Sequence, residues 1–259
     1  MSYVENWFLW FLFYSIVGWV WETILCSVRE RRFVNRGFLN GPYCPIYGWG
    51  ACLDVAVLGS LPRSQWWLIF ILSVVLTGIL EYMTSYVMEK LFHARWWDYS
   101  NRKFNINGRV CLLGMFVFGV FSLLLLLFLH PAVAHVTSLI PPTVKHILFA
   151  VTAAGFLADN VITFIGVGGL AKKAKALAAT LKSKYEQYTE EAQIKTASAV
   201  AYKDFARRNL NAQERRIIHA FPKLRSTFNR DMFARLREAL AKRKNAQSET
   251  EQGDAADNQ

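Results

Sequence analysis

Charge is scarce through the first two thirds of the chain. Up to Leu170 there are 11 Lys or Arg and 8 Asp or Glu, against 19 and 11 in the shorter remainder. A soluble domain does not fit so long a stretch with so little charge. Cysteine is scarce too. Cys26, Cys44, Cys52 and Cys111 form no CxxC pair and none stands at zinc spacing from a histidine, so they read as small packing residues and the expectation is no metal. The GxxxxGK[ST] phosphate loop is missing, as are HExxH, GxSxG and HxxxxD. No catalytic residue or cofactor can be nominated, and the reading leans away from an enzyme. Nor do two halves of the chain repeat each other.

What is present in residues 6–170 is apolar and segmented. About 20 apolar residues are needed to cross a hydrocarbon core of about 30 Å. Residues 6–28, 66–88, 110–129 and 146–170 meet this, interrupted by Glu22, Glu81 and Asp159. Residues 45–62 are shorter, glycine-rich and contain Asp54, so either a span or a re-entrant half-helix fits them. Charge parity favours a span. With five crossings, Arg29, Arg31, Arg32, Arg36 and the basic residues from Lys90 to Arg109 share one side with the C-terminal tail. The other side keeps only Arg63 and Lys145. This is the positive-inside pattern, N-terminus out and C-terminus in the cytoplasm. Residues 6–28 lack a basic n-region and a cleavage site, so they read as a retained span. Trp7, Trp10, Trp66 and Trp67 are expected in the outer aromatic belt, and Trp96 and Trp97 in the inner one. The fold class expected is an all-α, polytopic membrane helix bundle in residues 1–170, with a cytoplasmic helical tail in 171–244 and a disordered end in 245–259.

The tail accounts for most of the net charge of +11. Leu170, Ala174, Leu177, Leu181, Tyr185 and Tyr188 recur at helical spacing with lysines opposite. Asn211 and Glu214 form a capping-box pattern before AQERRIIHAF, which stops at Pro222. Phe228, Met232, Phe233, Leu236 and Leu240 mark a last amphipathic stretch. Lys172, Lys173 and Lys175 beside the membrane suit anionic lipid headgroups, at about 1 kcal/mol per charge. Because the basic residues cluster at the ends of apolar runs, nucleic acid is not an expected partner.

Acids inside apolar spans pair or line a polar cavity, since a charge in the bilayer is costly. Glu22 and Glu81 fall near the cytosolic ends of their spans, at one expected level; Asp54 and Asp159 fall nearer mid-depth. Two cytosolic connections are unusually patterned. In residues 29–50, Gly37 and Gly41 allow turns, Pro42 stiffens the chain, and Arg36 and Asn40 supply donors. Residues 96–111 carry Asp98, Tyr99, Asn105, Asn107 and Arg109. The two loops are expected to fold over the cytosolic mouth, with Arg36 or Arg109 in salt-bridge reach of Glu22, Glu81 or Asp98.

The runs GWVWETILCSVRERRFVNRGFLNGPYCPIYGWG, WDYSNRKFNINGRVCL and RRIIHAFPKLRS resemble the bacterial family labelled putative ABC-transporter type IV, or putative permease. The resemblance implies transport, and a shared site at Glu22, Arg36, Gly37, Gly41, Pro42, Tyr47, Trp97, Asp98, Asn107, Gly108 and Arg109. ATP hydrolysis would then need a separate subunit, and so few spans imply oligomerisation. Two other classes stay open beside a permease: a membrane-embedded enzyme or binder of lipid-linked or anionic substrates, and a scaffold or regulator acting through the tail.

Overall fold

A computed structural model describes residues 2–188 and 191–241; the end expected to be disordered lies outside them. The described residues are overwhelmingly helical and form two compact units. The first comprises the chain up to Val87 together with Asp98–Phe164; the second comprises Met88–Trp97 and the chain from Ile165 onward.

Among the described residues, four helices are long and apolar enough to cross a membrane: Tyr3–Glu30, Arg63–Phe92, Leu112–Leu139 and Pro142–Gln187. Each exceeds the length that about 30 Å of hydrocarbon requires. The first, α1, runs Ser2–Glu30, and α3 runs Trp66–Phe92. Leu112–Leu139 is composite, with α4 (Leu112–Leu124) joined to α5 (His130–Leu139) by a π turn at Leu125–Leu129. Pro131 explains that turn, because its ring and missing N–H disrupt the ladder just before it. The helix outruns the expected 110–129 because the sequence HPAVAH looks like a terminus. The fourth, α6 (Pro142–Gln187), continues without a break into the residues assigned from sequence to the tail.

Residues 45–62 do become a helix, α2, but only over Pro45–Leu58. Its 14 residues rise about 21 Å, short of the core. Pro45 occupies the first turn, where a missing N–H costs nothing. The segment before it makes up the length. From Val34 to Cys44 the chain is non-helical and runs back along α1, and α2 then continues in the same direction. Val34 N–H donates to Ser27 Oγ at 3.0 Å, Arg36 N–H to Thr23 Oγ1 at 3.5 Å, and Cys44 N–H to the Ser15 carbonyl at 2.8 Å. Farther on, Gly48 abuts Phe11 and Cys52 Sγ reaches the Trp7 carbonyl. Leg and half-helix together therefore track α1 from Ser27 to Trp7, about 30 Å of rise.

Within the first unit, the other long helices pack around this pair. α6 runs parallel to α1, through Glu5–His146, Phe8–Phe149 and Phe11–Phe156. Leu58, Ile69 and Leu126 form an apolar cluster joining α2, α3 and the π turn. Trp66 and Trp67 are exposed, as belt residues should be.

In the second unit, Leu170, Ala174, Leu177 and Leu181 of α6 are buried together with residues of α7 (Glu191–Arg208), α8 (Ala212–Ala220) and helical residues 232–241. The capping box at Asn211 and Glu214 forms as the sequence indicates. Glu214, 1 % exposed, also binds Lys173 Nζ at 2.9 Å through both oxygens. Arg237 closes the other end of α8 by donating to the carbonyls of Ile218, Phe221 and Pro222. Strand β1 (Ala94–Arg95) pairs antiparallel with β4 (Arg225–Ser226). Trp96 is not a belt residue here; it is buried against Phe221 and Phe92.

Candidate functional site

The leg crosses an apolar region and so needs partners for its backbone, since lipid offers none. α1 supplies them from one stripe spaced four apart: Ser15 through its carbonyl, Thr23 and Ser27 through their hydroxyls, while Trp19 fixes the Asn35 side chain. Trp19 Nε1 donates to Asn35 Oδ1 at 2.8 Å, and the same oxygen accepts from Gly37 N–H. Asp159 on α6 holds the leg from the other side. Its carboxylate accepts from the backbone N–H groups of Asn40 (3.1 Å) and Gly41 (2.7 Å), from Asn40 Nδ2 (2.9 Å) and from Tyr43 Oη (2.8 Å). Asn40 and Gly41 therefore belong to this clasp, while Pro42 beside them is exposed.

At the start of the leg a charged cluster forms, which Tyr47 of α2 reaches from the first turn of that helix. Arg36 Nε lies 3.6 Å from Glu22 Oε2, with the side chains 17 % and 31 % exposed. Tyr47 Oη donates to Glu22 Oε1 at 2.8 Å. Glu81 accepts from Tyr99 and lies within electrostatic range of Glu22. Burial, with Glu81 next in importance, pushes the Tyr99 phenol well above its ordinary range, so it stays a donor. Glu22, Arg36, Tyr47, Glu81 and Tyr99 thus converge, and the expected pairing of Arg36 with Glu22 is made. The space that Gly18 leaves beside Glu22 is filled by Tyr47, whose Cγ would lie 2.2 Å from a Cβ at position 18.

The second patterned loop is built rather than slack. Asp98 Oδ1 accepts from Ser100 N–H and Oγ, and Tyr99 N–H donates to the Gly108 carbonyl. Strands β2 (Asn105–Ile106) and β3 (Val110–Cys111) form a hairpin whose turn residues, Asn107 and Gly108, have φ of 53° and 66°. An Asn-Gly pair is the preferred sequence for such a turn. Asn107 and Gly108 thus shape the loop, and Asn107 Nδ2 also reaches Tyr82 Oη. Buried Arg109 packs over the rings of Tyr82 and Tyr86 and donates to Ser85. Trp97 falls in the second unit.

Two features went unread in the sequence: the α1 stripe and the hairpin. The first was visible as four hydrogen-bonding side chains at four-residue spacing within an apolar run, and the second as the Asn-Gly dipeptide. Among the described residues no group of three or more His, Cys, Asp or Glu could hold a metal.

Residues 9–164 match the family described as "Putative ABC-transporter type IV". The match ends where the first unit ends, at Phe164, so the likeness seen in RRIIHAFPKLRS lies outside it. No curated protein and no solved structure matches the chain. With well over half its length matched, this membrane protein belongs to that transport-related family.

Proposed function

We propose that the chain is a permease-like transport component of the cell membrane, with its solute site at the Glu22–Arg36–Tyr47–Glu81–Tyr99 cluster. One observation carries this reading: the Glu22–Arg36 pair, part-exposed, sits at the start of the extended leg and is reached by Tyr47 from the first turn of the half-helix that follows it. Non-helical backbone is tolerated at membrane depth only where it is buried in protein or lines a cavity, and carriers commonly place solute sites at such breaks. The positive-inside pattern supports a cytosolic position for the cluster, with the N-terminus outside and the tail in the cytoplasm. An ATPase subunit would be a separate chain, because this one has no phosphate loop. Lys172 and Lys175 remain suited to anionic headgroups; Lys173 is engaged by Glu214.

Native mass spectrometry of the detergent-extracted protein tests the reading. A small solute should co-purify and be lost in Glu22→Gln and Arg36→Gln. A lipid-linked species in its place would transfer the site to the enzyme-or-binder class. Loss of nothing in either variant would remove the site.

A further inference from the structure

α3 carries a polar series of its own. Ser73, Thr77, Glu81 and Ser85 recur four residues apart, and all are buried. They form one stripe along the helix, of which the proposed site uses only Glu81. At the far end of the stripe lies the Leu58–Ile69–Leu126 cluster. One turn from each of these three residues, toward the Glu81 level, come Asp54, Ser73 and Ser122, which share a layer by helical geometry.

This layer is polar and incompletely satisfied. Ser122 Oγ donates to Asp54 Oδ2 at 2.5 Å. Asp54 is 2 % exposed and its Oδ1 has no hydrogen-bond partner among the described residues; Ser73 Oγ is wholly buried and has none among them either. Glu81, at 6 % exposed, repeats the arrangement, with one oxygen held by Tyr99 and Oε2 unpartnered. No ion pair to Asp54 occurs among the described residues. The other titratable groups at this part of α1, α2 and α5 are Cys52 and the hydrogen-bonded Tyr14–His130 pair; around Glu81 they are Tyr99 and Glu22.

We infer that Asp54 is a proton-exchanging carboxylic acid, the inner station of a proton path that starts at Glu81 and follows the α3 stripe. A carboxylate oxygen without a donor is costly in a medium without water, and one proton on Oδ1 removes both the charge and the vacancy for a donor. A hard metal cation takes about six oxygens, whereas this layer offers one carboxylate and two hydroxyls. Side chains four apart on a helix stand about 6 Å from each other, a gap that one bridging water closes. In the exchange, Asp54 Oδ1 gives its proton to water and becomes a carboxylate still held by Ser122; the reverse step restores the acid. The inference is independent of the permease reading, which concerns only what such a proton would drive.

Infrared difference spectroscopy of the full-length protein in lipid, stepped from mildly acidic to mildly alkaline pH, reads this directly. The expected result is a carboxylic-acid carbonyl band that falls as pH rises and is abolished in Asp54→Asn. Ser122→Ala should shift the same band by removing its hydrogen bond, which keeps the test decisive if Asp54→Asn fails to fold. A band that pH never moves, or no band assignable to Asp54, would overturn the inference. So would loss of the band on adding sodium at fixed pH, because the site would then be a metal-cation site.

Discussion

Glu22 is bonded but not sealed. With its side chain 31 % exposed and Arg36 at 3.6 Å, the pair resembles a surface ion pair, worth about 1 kcal/mol or less. Glu22→Gln should therefore leave the melting temperature of the extracted protein within a few degrees of the parent while abolishing solute retention. A large loss of melting temperature, restored by also neutralising Arg36, would make the pair structural. Gly18 should behave in the opposite way. A methyl group there meets the Tyr47 ring at 2.2 Å, and overpacking typically costs about 1–3 kcal/mol. Gly18→Ala should lower the melting temperature more than Glu22→Gln does, and in a Tyr47→Ala background the same Gly18→Ala change should cost little further. Independent effects of the two changes would mean the contact carries no strain.

Among the elements, the leg from Val34 to Cys44 depends most on borrowed partners. Asp159 takes four of its donors, so Asp159→Ala should loosen it locally without unfolding the bundle. Maleimide labelling of buried Cys44, in a background with the other three cysteines replaced, should accelerate by at least about tenfold. Unchanged labelling would show that the α1 stripe alone secures the leg. The sequence made the four long helices legible because each carries an apolar run of about 20 residues, broken at most by one acidic residue. It did not show that residues 34–58 divide into leg and half-helix, because hydropathy sees side chains and not where backbone donors are satisfied. Arg36 meeting Glu22 was readable from charge and side. The role of Asp159 was not, since two of its donors are backbone N–H groups and all four lie more than a hundred residues away.

At the scale of the molecule, orientation and the tail are both open to measurement. Reporter fusions after Arg36, Ser64, Lys103, Thr143 and Gln187 should read in, out, in, out, in; a cytoplasmic signal at Ser64 would mean that leg and half-helix turn back. Lys173→Met would strand Glu214, 1 % exposed, without its cation, and a buried carboxylate left unpaired is destabilising. Hydrogen exchange in α8 of the full chain should rise accordingly and fall back toward parental protection when Glu214→Gln, which can keep the capping bond without the charge, is added. The β1–β4 pairing has a further consequence during synthesis. Ala94 and Arg95 leave the ribosome long before Arg225 and Ser226, so Phe92 and Trp96 await their cover while the last two long helices are inserted. A nascent chain stopped short of Phe221 would leave Trp96 without that cover. Membrane quality control should therefore remove tail truncations even though every long apolar helix is present.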